Sequence, residues 1–454
     1  MEIAPSNVSK TSELAEFLLR TEFDDIPENV REHVKLCILD WLGAALAGAV
    51  ERPGKIARSV IRELGGKPEC TIIGANRKTS CVNAALVNGI SGHTVELDDV
   101  NELALIHPAA PVIPAALAVG ERCGSAGRDM ITAVVLGYEA EVRLGMAMNP
   151  SHYEFWHTTG TCGTFGATVA AAKLLGLDKN QMIQTMGIAG TQAAGLIETF
   201  GTMSKPLNPG RAAHSGVLAA LLAEKGFTST TQILDSRIGY CYAASKQPKL
   251  NELTEQLGTR YAVLKTCFKY HASCGHTHGA IDALQSIVST SDLKPDMVEQ
   301  IIVETYPIAV NVVGNKPDPV TGSDAKFSLN YCLAAALVFG RVGLEEFSEQ
   351  RMRDTRVREL SKRVIVKVGQ EFANAVLGSA RVTVCDSRGG RKSVKVDVPK
   401  GYPDNPLTAS ELKQKFTRLA CITLPKRQVE KIIKNVENLD KIRVSSLAVL
   451  LSKN

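Results

Sequence analysis

The sequence predicts a mainly α helical domain joined to a smaller α+β domain, and three observations lead to this fold class. Of the 454 residues, 44% are apolar but only 5% aromatic, which suits closely packed helices better than a β-sandwich. Apolar side chains recur at intervals of three and four up to about residue 262, and an alternating pattern then dominates until about residue 400. We therefore predict a helical domain over residues 1–262 and 401–454, with the α+β domain inserted over residues 263–400.

The helical spacing is clear from the first apolar residues onward. Leu14, Phe17 and Leu18 lie one turn apart, as do Cys37 and Trp41. Glycine-rich breaks separate further predicted helices, which lie near residues 84–87, 130–144, 166–175, 182–188 and 217–223.

Strands are predicted where β-branched residues alternate with polar ones. These segments are residues 301–305, 364–368, 382–384 and 394–398. Residues 387–390 (Ser-Arg-Gly-Gly) indicate a hairpin turn, and helices are predicted at residues 279–287 and 331–338. Thr408 and Glu411 have the spacing of a capping box, so a helix should begin there.

Composition excludes several classes of protein. The 52 basic and 47 acidic side chains leave a net charge of +5, too small for a nucleic-acid-binding protein. The longest apolar stretch, residues 109–119, contains Pro111 and Pro114 and does not fit a membrane span. The 11 cysteines form no CxxC pair, and residues 1–17 lack the basic and apolar regions of a secretory signal. We therefore predict a cytoplasmic protein with reduced thiols.

The histidines give the first indication of function. Eight of the nine lie between His93 and His278, mostly in segments rich in glycine, proline or threonine. Such segments form loops or helix starts, where a reactive side chain can be held beside a cleft.

Two of these segments combine histidine with polar neighbours. In residues 93–107, Glu96, Asp98 and Asp99 are close enough to raise one another's pKa, to bind a cation or to orient a histidine. A solvated acidic turn is the alternative, whereas an EF-hand lacks the required spacing of oxygens. Around His157, hydroxyls and glycines precede a predicted helix whose N–H groups could hold an anion, or which is simply capped.

Two further segments carry basic residues or several histidines. Lys205 and Arg211 lie six residues apart across a predicted Pro/Gly turn, where they could bind carboxylates or lie on the surface. His271, His276 and His278 accompany Cys274 near the predicted domain junction. A zinc site is possible there, but no HExxH helix or second cysteine pair supports it, so we favour a histidine-rich active-site turn.

Several common motifs are absent from the sequence. It contains no P-loop, no dinucleotide fingerprint, no GxSxG elbow and no kinase motifs. Histidine, lysine and carboxylate remain, and together they can move a proton next to a carboxylate without a cofactor.

In their order and spacing, these segments resemble the MmgE/PrpD family, which includes 2-methylcitrate dehydratase, cis-aconitate decarboxylase and iminodisuccinate epimerase. The resemblance extends over nearly the whole chain and implies a helical domain with an α+β lid, a cleft between them, a homodimer and no cofactor. The residues that carry it are Glu96 to Asp99 with His107-Pro108, His157 before Gly163 to Gly166, Lys205 to Leu207 with Gly210 to Ala213, Lys269 with Cys274, Thr277-His278 and Asp282-Ala283, and Ala325 to Tyr331.

The resemblance also implies which residues line the site. They are Glu96, Val100, His107, His157, Lys205, Lys269 and Tyr331. Glu96 replaces an aspartate of the family and Val100 replaces a hydroxyl residue, so substrate fit should differ. The lid turn from Lys269 to Cys274 lacks prolines common in the family, which leaves His271 available.

Our hypothesis places a dicarboxylate or tricarboxylate between Lys205, Lys269 and Arg211. His107 or His157 removes or donates a proton beside a carboxylate, the other assists as the acid, and Asp98 or Glu96 orients a histidine. The remaining candidate substrate-binding residues are Cys274, His278 and Tyr331 together with Glu96.

Our preferred interpretation is a hydro-lyase similar to 2-methylcitrate dehydratase. An epimerase or isomerase and a decarboxylase are the alternatives that share it. A metal-dependent hydrolase using His271, His276 and His278, or an inactive binding protein of the same fold, is less favoured.

Overall fold

The computed structural model describes residues 9–314, 316–375 and 378–453. Residues 1–8, which begin the segment considered for a secretory signal, lie outside these ranges. The α-helices, in chain order, are α1 (Lys10–Arg20), α2 (Glu28–Gly48), α3 (Arg52–Leu64), α4 (Cys81–Thr94), α5 (Ala109–Cys123), α6 (Gly127–Met148), α7 (Thr158–Leu174), α8 (Lys179–Gly190), α9 (Ser204–Glu224), α10 (Tyr240–Ala244), α11 (His278–Ser289), α12 (Pro307–Val313), α13 (Gly322–Ala325), α14 (Leu329–Phe339), α15 (Glu349–Met352), α16 (Thr355–Ser361), α17 (Ala409–Ala420), α18 (Lys426–Glu437) and α19 (Val444–Ala448). The strands are β1 (Cys70–Thr71), β2 (Lys78–Thr79), β3 (Val100–Asn101), β4 (Thr266–Cys267), β5 (Val298–Thr305), β6 (Val364–Val368), β7 (Ala380–Asp386) and β8 (Arg391–Val396).

Small residues let the helices of the larger body pack closely. Helix α7 is rich in alanine, glycine and threonine, is buried along almost its whole length, and packs against α5, α6 and α9. Helix α4 lies between α2 and α9. This arrangement, with a smaller region of strands and helices, confirms the predicted fold class.

One close approach in this body positions the site. Where α4 crosses α9, a Cβ added to Gly89 would lie 2.8 Å from the Cα of Gly210. The crossing therefore requires glycine on both helices. It brings the end of α4, which precedes Glu96, close to the first turn of α9, which carries Lys205.

The smaller region is built on a four-stranded sheet with the order β6-β5-β7-β8. Strand β5 is parallel to β6 and antiparallel to β7, with Ile301 opposite both Val364 and Val384. Helix α11 packs against β7 and β8. The hairpin predicted at residues 387–390 is confirmed, because it joins the antiparallel strands β7 and β8.

The C-terminal helices return to the helical body. Thr408 and Glu411 form the predicted capping box at the start of α17, which packs against α2. Tail residues such as Leu447 share one hydrophobic core with Leu14 and the rest of the body, whereas most residues of the sheet region form a second core. The domain boundaries at residues 262 and 400 stay a prediction.

The predicted turn between Lys205 and Arg211 was wrong, because α9 runs through both residues. Pro206 lies in the first helical turn, where a missing N–H group removes no hydrogen bond, and the helix also accommodates Pro209. Six residues rotate a helix by about 240°, so Lys205 and Arg211 point to different faces.

Length and hydropathy show which helices could cross a membrane. Within the described ranges, no single helix is both long and apolar enough to cross a membrane, while one pair bent by 80°, Glu28–Gly48 with Arg52–Leu64, passes by length and composition.

Candidate active site

The acidic turn after α4 forms the centre of the candidate site. Glu96, Asp98 and Asp99 are all buried, so the alternative of a solvated turn is wrong. Glu96 has a φ of 59°, in the left-handed region that costs about 1–2 kcal/mol for a residue other than glycine. Two distant lysines bind the backbone of this turn: Lys326 donates to the Val95 carbonyl at 3.0 Å and Lys415 to the Leu97 carbonyl at 2.7 Å.

The Glu96 carboxylate lies between two buried ammonium groups. Oε1 accepts a hydrogen bond from Lys205, and Oε2 accepts one from Lys269 at 3.2 Å. Lys269 follows β4, which pairs with β3 so that Val100 lies opposite Cys267. This pairing holds the segment before Lys269 against the acidic turn.

The opposite charges of Glu96 and the two lysines stabilise one another's ionised forms. Burial acts to raise the pKa of Glu96, but Lys205 and Lys269 hold it well below its usual range. Burial would lower the pKa of Lys269, whereas Glu96 and Asp98 raise it above its usual value. Two ammonium groups therefore share the Glu96 carboxylate, and this part of the site can attract an anion.

Asp98 binds a histidine that was not among the predicted site residues. His93 Nδ1 lies 2.6 Å from Asp98 Oδ2, whereas His107 Nδ1 lies 3.8 Å from the same oxygen. Burial acts to raise the pKa of Asp98, but His93 and His107 hold it well below its usual range. Asp98 thus orients His93 directly. Its effect on the two predicted catalytic histidines, His107 and His157, is only indirect.

A hydrogen bond of His107 determines which of its two ring nitrogens carries the hydrogen. Its Nδ1 lies 2.7 Å from the Asp99 carbonyl oxygen, which can only accept. Nδ1 therefore carries the hydrogen, and Nε2 of the neutral ring has a free lone pair. Burial and the nearby Lys269 lower the pKa of His107 well below its usual range, so the neutral ring predominates at neutral pH.

His157 lies on the other side of His93. The two rings are stacked with centroids 5.6 Å apart, and the centroids of His93 and His107 are 4.8 Å apart. His157 Nδ1 lies 3.0 Å from the side-chain nitrogen of Asn208 on α9. Burial and Lys205 lower the pKa of His157 well below its usual range.

A cleft between the helical body and the sheet region reaches Lys326. It has a volume of about 1500 Å³, and Thr94, Phe200, Lys326 and Tyr331 are among its lining residues. A smaller cavity next to it is lined by Glu96, Lys205 and Lys326. Ligand pockets usually have about 300–1000 Å³, so the cleft can admit a polycarboxylate, whereas the cavity beside Glu96 and Lys205 has about 20 Å³. Among the described residues, His107, His157 and Lys269 line neither of them.

Lys326 is a functional candidate that the sequence reasoning missed. It lines both the cleft and the smaller cavity, and burial lowers its pKa to about 8. It belongs to the run Ala325 to Tyr331 that supported the family resemblance, so its position there was the available signal. His93 was also missed, although it begins the same segment as the acidic turn.

The structure brings most predicted site residues into one region. Cys274 joins this region, because its N–H donates to the Lys326 carbonyl at 3.0 Å, and burial raises the pKa of its thiol. Tyr331 lines the cleft, and its hydroxyl donates to the Glu346 carbonyl. The residues gathered around the acidic turn are Glu96, Asp98, His107, His157, Lys205 and Lys269.

Arg211 lies apart from this region, and its role as a carboxylate clamp stays a prediction. It is exposed on α9, and its guanidinium lies 3.0 Å from Nδ1 of His214. The rotation of the helix between Lys205 and Arg211 directs the two side chains to different faces, which is why they lie apart.

The histidines considered for zinc have separate partners. His271 Nε2 lies 2.8 Å from Asp282, His276 Nδ1 lies 2.8 Å from the Tyr306 hydroxyl, and His278 Nε2 lies 3.4 Å from the Ser273 carbonyl.

Within the part of the chain that the structure describes, the group of three with metal-ligand spacing is His93, Asp98 and His107. Their candidate ligand atoms all lie within 4.8 Å of one another. Both histidines already use Nδ1 for hydrogen bonds, to Asp98 and to the Asp99 carbonyl. These hydrogen bonds explain why the three side chains lie close together.

Comparison with known proteins gives matches along most of the chain. The family model described as the MmgE/PrpD N-terminal domain matches residues 12–253, and that of the MmgE/PrpD C-terminal domain matches residues 271–441. The cis-aconitate decarboxylase-like protein oryM of Aspergillus oryzae is 29% identical, with 97% of each chain covered. Cis-aconitate decarboxylase of Homo sapiens is 28% identical over 94% of this chain and 91% of its own length. The 2-methylcitrate dehydratase of Salmonella typhimurium is 21% identical over 62% of this chain and 61% of its own length.

Proposed function

The chain belongs to the MmgE/PrpD family, and we propose that it is a lyase acting on a dicarboxylate or tricarboxylate by proton transfer next to a carboxylate. The observation that carries this proposal is the pair of buried ammonium groups, Lys205 and Lys269, beside the neutral histidines His107 and His157. Relatives named as decarboxylases and a dehydratase support the reaction class.

The lysines would bind the carboxylates of the substrate. Lys205 and Lys269 share one carboxylate, that of Glu96, and so retain hydrogen-bond donors and positive charge for an anionic ligand. The Lys205 ammonium also lies 5.3 Å from the ring centroid of Phe200 and 5.1 Å from that of Phe327. These rings restrict where the ammonium group can move, which would fix the bound carboxylate in place.

The histidines would move the proton. A neutral imidazole can accept a proton on one nitrogen or donate one from the other, and a positioned acid or base accelerates a reaction about 10²- to 10⁴-fold. Loss of water is the first candidate reaction, because it needs a base for a carbon-bound proton and an acid for the leaving hydroxyl. Loss of carbon dioxide is the second, because relatives named as decarboxylases cover more than 90% of the chain.

Turnover of defined substrates distinguishes these reactions. We would incubate the protein with 2-methylcitrate, citrate, cis-aconitate and iminodisuccinate in heavy water and record proton NMR spectra. Dehydration gives an unsaturated acid, decarboxylation gives carbon dioxide and a deuterated product, and epimerisation gives deuterium uptake without net conversion. A result of the last kind would contradict the lyase proposal.

The variants His107→Ala and His157→Ala test the catalytic groups. Each should fold normally and lose at least about a hundredfold in kcat, because one proton-transfer group is removed. His214→Ala is the matched control, since His214 lies on α9 next to Arg211 and outside the site. Normal turnover by both site variants would remove the proposed mechanism.

A further inference from the structure

We propose that Asn208 is the positioning residue that keeps the hydrogen of His157 on Nε2, so that His157 is the proton donor and His107 the proton acceptor. This inference rests on the proposed function and assigns the two histidines to different roles. It follows from a chain of hydrogen bonds that fixes the orientation of the Asn208 amide.

The chain begins at Thr199. Its hydroxyl oxygen lies 2.7 Å from the Leu196 carbonyl oxygen, which can only accept, so the single hydroxyl hydrogen points there. The Thr199 oxygen must then act as the acceptor for Asn208, whose side-chain nitrogen lies 3.2 Å away. The amide nitrogen of Asn208, and not its oxygen, therefore faces Thr199.

The same amide nitrogen faces His157. It lies 3.0 Å from His157 Nδ1, and an amide nitrogen can only donate. Nδ1 is therefore the acceptor and carries no hydrogen, which leaves the hydrogen of the neutral ring on Nε2. In His107 the arrangement is reversed, because the Asp99 carbonyl binds a hydrogen on Nδ1 and leaves Nε2 as the acceptor.

Two glycines confine the amide of Asn208. A Cβ added to Gly160 would lie 3.0 Å from the Asn208 Cβ, and one added to Gly195 would lie 3.2 Å from its Cγ. The His157 N–H also donates to the Gly195 carbonyl at 3.1 Å. The backbone and the side chain of His157 are thus held in the same small pocket. The side-chain amide of Asn208 has little room to rotate there.

The variant Asn208→Asp tests this role, because it replaces the donor by an acceptor of nearly the same shape. A carboxylate facing Nδ1 holds a hydrogen there and raises the pKa of the ring. Below that pKa the imidazolium still has a hydrogen on Nε2, but above it the neutral ring has none. We expect kcat of the variant to fall about a hundredfold as pH rises through neutrality, with KM nearly unchanged.

Asn251→Asp is the matched control, since Asn251 is exposed and the charge change is the same. It should keep the pH profile of the unaltered protein. An unaltered pH profile of Asn208→Asp, or an equal loss of kcat at every pH, would overturn the inference. Neither result affects the proposed function, which is tested separately by the turnover of defined substrates and by His107→Ala and His157→Ala.

A second pair of variants decides the matter if Asn208→Asp does not fold. Thr199→Val removes the acceptor that orients the amide and should lower kcat several-fold, whereas Thr199→Ser keeps the hydroxyl and should retain kcat. Equal rates for the two would contradict the inference. Nitrogen NMR of histidine-labelled protein gives a direct readout, because a hydrogen found on Nδ1 of His157 in the unaltered protein would overturn the assignment.

Discussion

Three carboxylates in one short turn have different protonation states because their partners differ. Lysines hold Glu96 ionised and histidines hold Asp98 ionised. The partners of Asp99 are uncharged instead: it accepts from the Tyr138 hydroxyl at 2.7 Å and from the Ala109 N–H at 3.0 Å. Burial therefore dominates and raises the pKa of Asp99 to about 8, so this residue is mostly protonated at neutral pH.

This raised pKa predicts how Asp99→Asn changes stability with pH. Between pH 3.8 and about 8 the folded protein binds a proton that the unfolded chain releases, so Asp99 makes the free energy of unfolding fall by about 1.4 kcal/mol per pH unit. Asparagine does not titrate and can still accept from the Ala109 N–H. Urea unfolding from pH 5 to pH 8 should therefore show the variant gaining stability relative to the unaltered protein. Asp404→Asn, at an exposed position, is the control, and a pH-independent difference for Asp99→Asn would contradict the assignment.

At the scale of elements, the crossing of α4 and α9 sets the distance between the acidic turn and Lys205. The helices touch through backbone atoms at Gly89 and Gly210, which leaves little room for either backbone to shift. A small change at the crossing is therefore transmitted to Glu96 and Lys205.

Gly210→Ala should separate these helices. Its Cβ would lie 2.7 Å from the Leu86 carbonyl oxygen and 2.5 Å from a side-chain carbon of Ile90. We expect a loss of about 1–3 kcal/mol in the free energy of unfolding, together with a lower kcat/KM. At the control position Gly343, a Cβ would meet only the end of the Glu346 side chain at 3.1 Å, so Gly343→Ala should change both values little. Equal losses in the two variants would show that the crossing does not control the site.

At the scale of the whole molecule, the tail completes the environment of the acidic turn. Lys415 of α17 is buried, lies 2.6 Å from Asp40 of α2 and donates to the Leu97 carbonyl. Burial raises the pKa of Asp40 to about 6 although Lys415 acts to lower it, and burial lowers the pKa of Lys415. The pair is thus a buried ion pair whose two members depend on each other.

Lys415→Met should be far more damaging than removal of both partners. The single variant leaves Asp40 buried without its cation and should lose about 3–5 kcal/mol in the free energy of unfolding. The double variant Asp40→Leu with Lys415→Met should recover most of this loss, because no buried charge remains. Urea unfolding of the single and double variants measures the coupling, and additive losses would contradict it.

Local patterns were sufficient for much of the fold. The hairpin at residues 387–390 and the capping box at Thr408 involve neighbours in the sequence, so spacing alone identified them. The turn predicted at Pro209 failed because packing of α9 overrode the local signal.

The site depended more on contacts between distant residues. Lys326 reaches the acidic turn from 231 residues away, and Asn208 meets His157 from 51 residues away, so no local pattern marks either. Residue types in their segments had marked Glu96 and Lys205 as candidates, but the expectation that they meet Lys269 in one site came from the family resemblance. The homodimer and the cytoplasmic location stay predictions.

The contact between Lys415 and the Leu97 carbonyl joins residues 318 positions apart in the chain. A ribosome makes the acidic turn long before it makes α17, so the nascent polypeptide cannot form this contact until α17 has been synthesised. The acidic turn therefore gains this support only after α17 has been made, and a product that lacks α17 would leave Asp40 without its ammonium partner.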